Sequence, residues 1–379
     1  MTDPAFRNGT FVGRAWRPDV GGPSLVALRD GATYDITSKV APTMRDLLEL
    51  ADPVAYVRSA SGHRLGSLED CLGAANDPSG LHLLAPADLQ AIKACGVTFA
   101  RSMIERVIEE RAAGDASRAE AIRRRVTAVI GDSLRNLKPG SPEAARVKAA
   151  LIEEGIWSQY LEVGIGPDAE VFTKASVLSS VGPGADVGLH PASHWNNPEP
   201  EIVLAVSSSG QVRGATLGND VNLRDIEGRS ALLLGKAKDN NASCAIGPFI
   251  RLFDETYTID DVRRAELTLL VEGTDGYRLT GRSSMAEISR DPLDLVAQTI
   301  GPHHQYPDGL MLFMGTLFAP VEDRDQPGQG FTHKLGDVVT IANAELGRLT
   351  NTVRLSTECA PWSFGAAALM RNLAGRGLL

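Results

Sequence analysis

The sequence predicts an α+β protein that is mainly β, with a small N-terminal β-rich domain over residues 1–85 and a larger domain over residues 86–379. Its 379 residues exceed the usual size of one hydrophobic core. Short strand-like runs separated by Gly, Pro and Asp-Gly turns occupy residues 10–37 and the chain from Val163 onward. The 38 glycines and the hydrophobic content of 43% favour strands and turns over long helical bundles.

The N-terminal region carries the signals of a small β domain. Three segments, TFVGRAW, PSLVALRDG and TYDITS, are predicted to be strands because turn residues separate them. The next segment, APTMRDLLELADPVAYVRSA, is predicted to be helical. The stretch LHLLAPADLQAIKACGVTF then predicts a passage into the second domain near residue 85.

A helical region follows this boundary. From about Ala100 to Asp132, apolar residues recur at helical spacing, and Gly114 is the predicted break. Ser141 is predicted to cap a further helix that has Pro142 in its first turn. The helices predicted after residue 100 therefore lie between the two β-rich parts of the chain.

The charge of the chain limits its partners. The formal net charge is −9, which argues against a nucleic-acid partner because phosphate binding needs a basic surface. The basic run at residues 123–125 is interpreted as a solvated helix face, since Glu120 and other acids share the segment. An anionic substrate would therefore need a local cationic site.

The cysteines and the N-terminal sequence indicate in which cellular compartment the protein is expected. The four cysteines are scattered without a C-x-x-C pair, so neither a disulfide framework nor a zinc ribbon is expected. The N-terminus has no basic region followed by an apolar stretch, and no segment has 18 consecutive apolar residues. We expect a cytoplasmic protein without a membrane span.

The segment NNPEPEIVLAV, residues 196–206, places Glu199 and Glu201 on either side of Pro200. Side chains alternate along a strand, so the two glutamates share one face while the apolar residues take the other. Pro200 cannot donate to a ladder, which predicts that this end of the strand lies at an edge or opening where an ion or ligand could enter. The two carboxylates are predicted to be neighbours.

A hairpin brings a third carboxylate to this face. If SSSG closes a two- or four-residue loop, opposed residue numbers sum to 417, Glu201 faces Thr216, and Asp220 shares the face of the glutamates. A three- or five-residue loop would turn Asp220 away. Three close carboxylates repel unless they are protonated or share a hard cation, and oxygen ligands favour Mg²⁺, Mn²⁺ or Ca²⁺ over zinc. A solvated acidic strand end is the alternative.

Three blocks in this order resemble the fumarylacetoacetate hydrolase family: EPEIVLAV, GNDVNLRDIEG and GKAKDNNASCAIGPFI. The resemblance covers roughly residues 90–355 and includes FTKAS, FMGTL and KLGDVVTIANAELGRLTN. Within the family, ACGVTFARSMIERVIEE and HPASHWNNPEPEIVL are most similar to bacterial 2-keto-3-deoxy-pentonate (arabinonate or xylonate) dehydratases. The resemblance implies a mixed β-sandwich roll with residues 86–379 as the catalytic domain, and a homodimer or homotetramer.

The resemblance also implies a metal site. The E-x-E pair and the Asp of the N-D dipeptide would hold one divalent ion, Mg²⁺ or else Mn²⁺ or Ca²⁺, through Glu199, Glu201 and Asp220. Lys236 matches the family lysine of GKSF-like blocks and would contact a carboxylate or enolate oxygen of the substrate, with Lys238 as the alternative.

Three departures from the family pattern bear on the reaction. Hydrolytic members often show N-Y-x-x-H-x-x-E, but the aligned stretch VTFARSMIE has Ser102 in place of the histidine and retains Glu105. Attack by a histidine-activated water is therefore not expected. GTL stands where many members have G-T-P, which keeps Thr316, and R-D-x-Q appears as RDIE at residues 224–227.

The implied chemistry is dehydration of a 2-keto acid. Chelation through the carboxylate and ketone oxygens would stabilise the enolate formed when the C3 proton is removed, and the C4 hydroxyl would then leave. Glu105 is the candidate for proton transfer, with Lys236 as the second catalytic residue. The candidate substrate-binding residues are Ser102, Arg224 and Thr316. Arg224 could instead brace Asp220 and Asp225 as an ion pair outside the ligand set.

Three hypotheses of different classes follow. The leading one is a Mg²⁺-dependent hydro-lyase that converts a 2-keto-3-deoxy pentonate to 2-oxoglutarate semialdehyde. The second is a hydrolase that cuts a C–C bond in a 2,4-diketo, acylpyruvate-like acid. The third is a metal-binding structural or regulatory protein. Among the remaining histidine candidates, His303 and His304 are predicted to be surface or structural residues in a loop, whereas His194, five residues before Glu199, could enter the site.

Overall fold

The computed structural model describes residues 4–6, 8–72, 79–130, 137–155, 157–318, 320, 322–327 and 330–379. Within them, the strands are β1 Phe11–Arg17, β2 Gly22–Arg29, β3 Ala32–Asp35, β4 His63–Ser67, β5 His82–Leu84, β6 Ala91–Gly96, β7 Glu170–Ala175, β8 Asp186–Leu189, β9 Asn196–Asn197, β10 Pro200–Val206, β11 Val212–Asp220, β12 Asn222–Leu223, β13 Cys244–Leu252, β14 Glu266–Glu272, β15 Arg278–Ser284, β16 Leu310–Phe313, β17 Val338–Asn343 and β18 Gly347–Leu355. The helices are α1 Met44–Glu49, α2 Pro53–Ser59, α3 Leu68–Cys71, α4 Ala100–Ala112, α5 Ala116–Ile130, α6 Pro142–Glu153, α7 Gln159–Ile165, α8 Arg224–Glu227, α9 Leu234–Lys238, α10 Ile259–Arg263, α11 Pro292–Thr299 and α12 Ala366–Gly375. This content confirms the α+β, mainly β prediction.

Two large sheets pack on one another. The first has the strand order β4-β3-β2-β1-β13-β11-β10-β16-β6-β7, with β5 pairing β1, and the second has the order β15-β14-β17-β18-β8. Leu204 and Leu217 of the first sheet belong to the same buried apolar cluster as Leu269 and Ile341 of the second. Burial of these alternating apolar residues between the sheets is the main stabilising contribution to this part of the fold.

The N-terminal strands are continuous with the first sheet. Strand β1 pairs antiparallel with β13, where Phe11 lies opposite Arg251. The Asp-Gly turn predicted between β2 and β3 is present, since Asp30 and Gly31 have φ angles of 49° and 73°. The predicted boundary near residue 85 lies between β5 and β6. The division into two domains there remains a prediction.

The helical region agrees with the sequence pattern. Helices α4 and α5 are separated at Ala113 and Gly114, both with positive φ angles, which confirms the predicted break. Ser141 caps α6 by accepting a hydrogen bond from the N–H of Ala144, and Pro142 is its first residue, as predicted. The predicted end of the α5 segment, Asp132, lies outside the described residues.

The described helices are short. The longest, α5, has 15 residues and includes the charged residues Glu120 and Arg123. Among the described residues, every helix falls short of the length and apolar character needed to cross a lipid bilayer. All four cysteines are free and buried.

Candidate metal centre and cavity

The β10–β11 hairpin positions three carboxylates. Glu201 lies opposite Gly218, and not opposite Thr216, so the predicted register is wrong by two residues. A shift of two residues leaves each side chain on its predicted face because side chains alternate with a period of two. Asp220 therefore shares the face of Glu201, and its N–H donates to the carbonyl of Glu199 at 3.1 Å.

A β-bulge keeps this face intact despite a longer loop. Residues 207–211 connect the two strands, a loop length that alone would turn Asp220 to the opposite face. The ladder shifts by one residue between Ala205 and Val206. This bulge restores the alternation, so the loop and the bulge together produce the predicted grouping.

Glu199, Glu201 and Asp220 form a buried carboxylate trio. One oxygen from each lies within 4.8 Å of the others. Burial, and then the charges of Asp220 and Glu199, raise the pKa of Glu201 well above its usual range. A divalent cation shared by the three oxygens would remove this repulsion, and a set of carboxylate oxygens suits Mg²⁺, Mn²⁺ or Ca²⁺. The residues therefore fit such an ion.

Two lysines hold Asp220. Lys174 Nζ lies 2.9 Å from Asp220 Oδ1, and Lys238 Nζ lies 3.0 Å from Oδ2 and 3.2 Å from Glu199 Oε2. Burial alone would raise the pKa of Asp220, but the two ammonium groups outweigh burial and lower it. Lys174 also donates to the carbonyl of Lys238 at 2.9 Å, which links the lysines to each other.

The placement predicted for Lys236 needs correction. Lys236 is exposed on α9, whereas Lys238 is buried and contacts Asp220 and Glu199. Two residues apart on a helix point about 200° from each other, so only one of the two lysines can face the trio. The structure therefore brings the alternative, Lys238, into the site.

Helix α4 contributes an arginine that contacts the trio directly. Arg106 Nη2 lies 2.7 Å from Glu199 Oε1. Its Nη1 lies 2.7 Å from Glu109 Oε2 and 3.3 Å from Glu227 Oε2. The guanidinium thus joins one trio carboxylate to two carboxylates outside the trio.

Glu105 lies between two arginines. Arg123 of α5 donates from Nε to Oε1 at 2.9 Å and from Nη2 to Oε2 at 2.8 Å. Arg224 Nη2 lies 3.4 Å from Oε2. The interpretation of residue 123 as part of a solvated face is therefore wrong, because its side chain is only 22% exposed and forms a bidentate pair with a buried carboxylate.

Arg224 also has different partners from those predicted. Its Nε lies 2.7 Å from Glu109 Oε1, and its guanidinium carbon lies 4.2 Å from the ring centroid of Trp195. Asp225 instead accepts hydrogen bonds from Ser193 Oγ at 2.8 Å and from the N–H of His194 at 2.6 Å. Arg224 thus braces the carboxylates of α4, and within the described part of the chain it pairs with Glu105 and Glu109 instead of Asp220 or Asp225.

A small cavity of about 10 Å³, less than the volume of a sugar acid, lies beside the trio. It is lined by Ser102, Glu105, Arg106, Glu109, Asn197, Glu199, Asn222, Arg224, Thr316 and Phe318. The hydroxyl of Thr316 donates to the carbonyl of Pro200 at 3.0 Å, and that of Ser102 donates to the carbonyl of Phe99 at 3.0 Å. The structure therefore brings the predicted Ser102, Glu105, Arg224 and Thr316 together at one cavity.

Sequence reasoning missed Arg106 and Glu109. Their spacing from Ser102 and Glu105 places all four on one polar face of α4, while Met103 and its apolar neighbours take the other face. Such a polar face normally contacts solvent, and the sequence pattern alone does not distinguish it from a buried one. Glu109 is nonetheless buried, and Arg106 and Arg224 outweigh its burial and lower its pKa.

Glu170 is a further carboxylate that the sequence did not single out. It lies on β7 opposite Gly96 of β6. Burial, and then the charge of Glu227, raise its pKa to about 7, while Arg106 and Lys238 act in the opposite direction. Because these neighbours belong to the site, Glu170 is electrostatically linked to it.

The histidines considered from the sequence lie elsewhere on the surface: His194, His303 and His304 are exposed.

Comparisons with a family model and with known sequences agree with one another. Residues 166–354 match the family model described as fumarylacetoacetate (FAA) hydrolase C-terminal. A Haloferax volcanii protein named "Probable 2-keto-3-deoxyxylonate dehydratase" is 27% identical over 330 residues, which cover 87% of this chain and 94% of that protein. A Saccharolobus solfataricus protein named "2-dehydro-3-deoxy-D-arabinonate dehydratase" is 28% identical over 185 residues, covering 49% of this chain and 58% of that protein.

Solved structures share the fold. The apo form of 2-keto-3-deoxy-D-arabinonate dehydratase superposes with a TM-score of 0.64 at 19% identity, covering 91% of this chain and 99% of that one. The same enzyme complexed with magnesium and 2,5-dioxopentanoate gives 0.63 at 19% identity with the same coverage. A fumarylacetoacetate hydrolase from Exiguobacterium antarcticum gives 0.54 at 16% identity, again covering 91% and 99%. These similarities confirm the predicted mixed β-sandwich roll.

Proposed function

Because the chain belongs to the fumarylacetoacetate hydrolase family, we propose that it is a divalent-metal-dependent hydro-lyase that removes water from a 2-keto-3-deoxy pentonate. The observation that carries this proposal is the buried trio of Glu199, Glu201 and Asp220 beside a cavity that also contains Glu105. The names of the two sequence relatives support the choice of reaction and of substrate class.

The trio would hold Mg²⁺, with Mn²⁺ or Ca²⁺ as alternatives. Lys174 and Lys238 keep Asp220 in its charged form, which is the form that binds a cation. The ion would supply Lewis-acid stabilisation of the negative charge that develops on the 2-oxo oxygen. Lys238, held between Asp220 and Glu199, would add a second positive charge beside the ion.

Glu105 is the proposed proton acceptor at C3. It lines the cavity, and Arg123 and Arg224 fix its orientation from two sides. Removal of the C3 proton and departure of the C4 hydroxyl with a proton release one water. A hydrogen shift from C5 to C3 then gives the enol of an aldehyde, and loss of the hydroxyl proton with protonation at C4 gives 2-oxoglutarate semialdehyde. Glu170, with a pKa raised to about 7, is a candidate to exchange a proton near neutral pH.

C–C bond hydrolysis is not favoured by this site. Hydrolytic members resembled by this sequence pair a histidine with a glutamate to activate water, and here only Glu105 of that pair is retained, because Ser102 stands at the histidine position. The Ser102 hydroxyl already donates to the carbonyl of Phe99, and a serine is a poor general base. We further propose a cytoplasmic homodimer or homotetramer that binds no nucleic acid.

Product identification tests the proposal. The protein would be incubated with the 2-keto-3-deoxy derivatives of D-arabinonate and D-xylonate in Mg²⁺, with a chelated sample as the control, and analysed by mass spectrometry. We expect a product lighter than the substrate by the mass of one water, and we expect it only in the sample without chelator. Pyruvate-sized fragments would support the hydrolase, and an unchanged substrate would support the structural protein.

A further inference from the structure

We infer that Arg106 binds the carboxylate of the substrate, and that it does so by exchanging its contact with Glu199 for the incoming anion. The inference rests on the proposed function in one respect, namely that the ligand is a 2-keto acid. It assigns a specificity role to a residue that sequence reasoning did not select.

The first argument is the position of Arg106. It lines the cavity, and its guanidinium reaches both a trio carboxylate and the polar face of α4. Nη1 lies between Glu109 and Glu227, which anchors one side of the group. Nη2 lies 2.7 Å from Glu199 Oε1. One side of the guanidinium is therefore fixed, and the other contacts a residue proposed to bind a metal.

The second argument compares the cations that touch the trio. The side chain of Lys174 is 0% exposed and that of Lys238 is 2% exposed, while that of Arg106 is 11% exposed. Lys174 is further held by the carbonyl of Lys238. Arg106 is therefore the most accessible of these three cations to a ligand that enters the cavity. An arginine also matches the planar geometry of a carboxylate better than a lysine does.

The third argument is charge balance. The connected acidic groups are Glu105, Glu109, Glu120, Glu199, Glu201, Asp220 and Glu227. The basic groups paired with them are Lys174, Lys238, Arg106, Arg123 and Arg224. There are two more formal negative charges than positive charges, so a divalent ion neutralises the network. A monocarboxylate ligand then needs a cation released from one of these pairs, which is the exchange inferred for Arg106.

The exchange follows from the shared oxygen. Arg106 holds Glu199 Oε1, and a cation bound by Glu199 would compete with the guanidinium for that carboxylate. Release of Nη2 frees a donor beside the cavity, and Nη1 remains tied to Glu109. Metal binding would thus prepare the anion-binding group, so that each of the two ligands strengthens binding of the other.

Binding measurements on Arg106→Gln test this inference without relying on turnover. Mn²⁺ alone is titrated first, and pyruvate, the simplest 2-keto acid, is then titrated by calorimetry in saturating Mn²⁺. We expect Mn²⁺ to bind at least about threefold more tightly, because a competing positive charge is gone. Pyruvate should bind about tenfold or more weakly, because its charged partner is lost. Arg106→Lys should give intermediate values for pyruvate.

Two controls separate this contact from general effects. Arg111→Gln removes the same charge from an exposed position on α4, and Arg118→Gln removes it from an exposed position on α5. Both should change pyruvate affinity by less than about threefold, since exposed charges contribute little. Circular dichroism and thermal melting establish that each variant is folded.

The outcomes distinguish this inference from the proposed function. A folded Arg106→Gln protein that binds pyruvate as tightly as the wild type would overturn the inference and leave the dehydratase proposal intact. An equal loss in Arg118→Gln would also overturn it, because the effect would then be one of charge alone. A wild-type protein that binds no Mn²⁺ would overturn both proposals together.

Discussion

The N–H of Gly315 donates a 2.6 Å hydrogen bond to Oε2 of Glu201. This bond lies where β16 ends, one residue after the N–H of Met314 donates to the carbonyl of Ile202. After β16 ends, the backbone therefore donates its next hydrogen bond to the side chain of Glu201 instead of to the backbone of β10. Pro200 lies at the same end of β10, which explains how a central strand can present an opening without being at the edge of the sheet.

Gly315→Ala should weaken both folding and metal binding. Gly315 has a φ of 85°, and an added Cβ would lie 2.1 Å from Thr98 Oγ1, so the backbone must move and the donor to Glu201 with it. We expect a loss of about 1–3 kcal/mol in the free energy of unfolding, from strain at this conformation. Chemical denaturation and Mn²⁺ titration measure the two effects. Gly301→Ala, where a Cβ meets no atom within 4 Å, is the matched control and should change neither.

Asp220→Asn should abolish metal binding and metal-dependent stabilisation. The change removes one of three trio charges and leaves Lys174 and Lys238 without their shared carboxylate. In the wild type, saturating Mg²⁺ at 100 times its dissociation constant should stabilise the fold by about 2.7 kcal/mol. Thermal melting with and without Mg²⁺ should show no such difference in the variant. Asp239→Asn, at an exposed position beyond α9, should retain it, and a metal-dependent shift in Asp220→Asn would contradict the assigned ligand set.

Glu105→Gln should lower kcat about 10²- to 10⁴-fold, the usual contribution of a proton-transfer group. Because the amide keeps the shape of the side chain, KM should change little. Arg123→Gln should lower kcat by a smaller factor, since Arg123 acts only by positioning Glu105. Steady-state kinetics on both variants, with Arg123→Lys as a partial rescue, test this. Full turnover in Glu105→Gln would show that another carboxylate accepts the proton, and Glu170 would be the next residue to substitute.

Acid should destabilise the protein in part through Asp337. Burial alone would raise the pKa of Asp337, but His333 and Arg324 outweigh it and lower the pKa to about 2. A carboxyl with a lowered pKa stabilises the fold above its unfolded pKa of about 4, and this stabilisation is lost as the pH falls toward 2. Asp337→Asn should therefore be less stable by about 2 kcal/mol at pH 7, with a smaller difference from the wild type near pH 2.

Denaturation from pH 7 to pH 2 measures this difference. Asp325→Asn, at an exposed carboxylate that pairs with Lys334, is a suitable control because exposed ion pairs contribute little. A constant difference between wild type and Asp337→Asn across the whole pH range would show that the substitution acts through packing and not through charge.

Local periodicity accounts for what the sequence could predict. The alternation of side chains placed Glu199, Glu201 and Asp220 together even though the register was wrong, because two residues of shift preserve the face. Gly114 and Ser141 could be assigned because their roles depend on neighbouring residues only. The family resemblance supplied the arrangement of the sheets, which periodicity alone does not give.

The errors involve contacts made across the chain. Lys236 and Lys238 differ only in helical phase, and a five-residue helix is too short for its phase to be evident from the sequence. The bidentate pair between Arg123 and Glu105 depends on how α5 packs against α4. Neither relationship has a signature in spacing, so both required the tertiary structure.

The pairing of β1 with β13 has a consequence for shortened versions of this protein. Strand β13 lies next to β11, which carries Asp220, and on its other side it is covered by β1. Deleting residues up to 85 would strip that cover and leave unpaired N–H and C=O groups along β13, one strand away from the trio. Exposed strands of this kind recruit other chains, so a fragment restricted to residues 86–379 should aggregate rather than serve as a minimal enzyme.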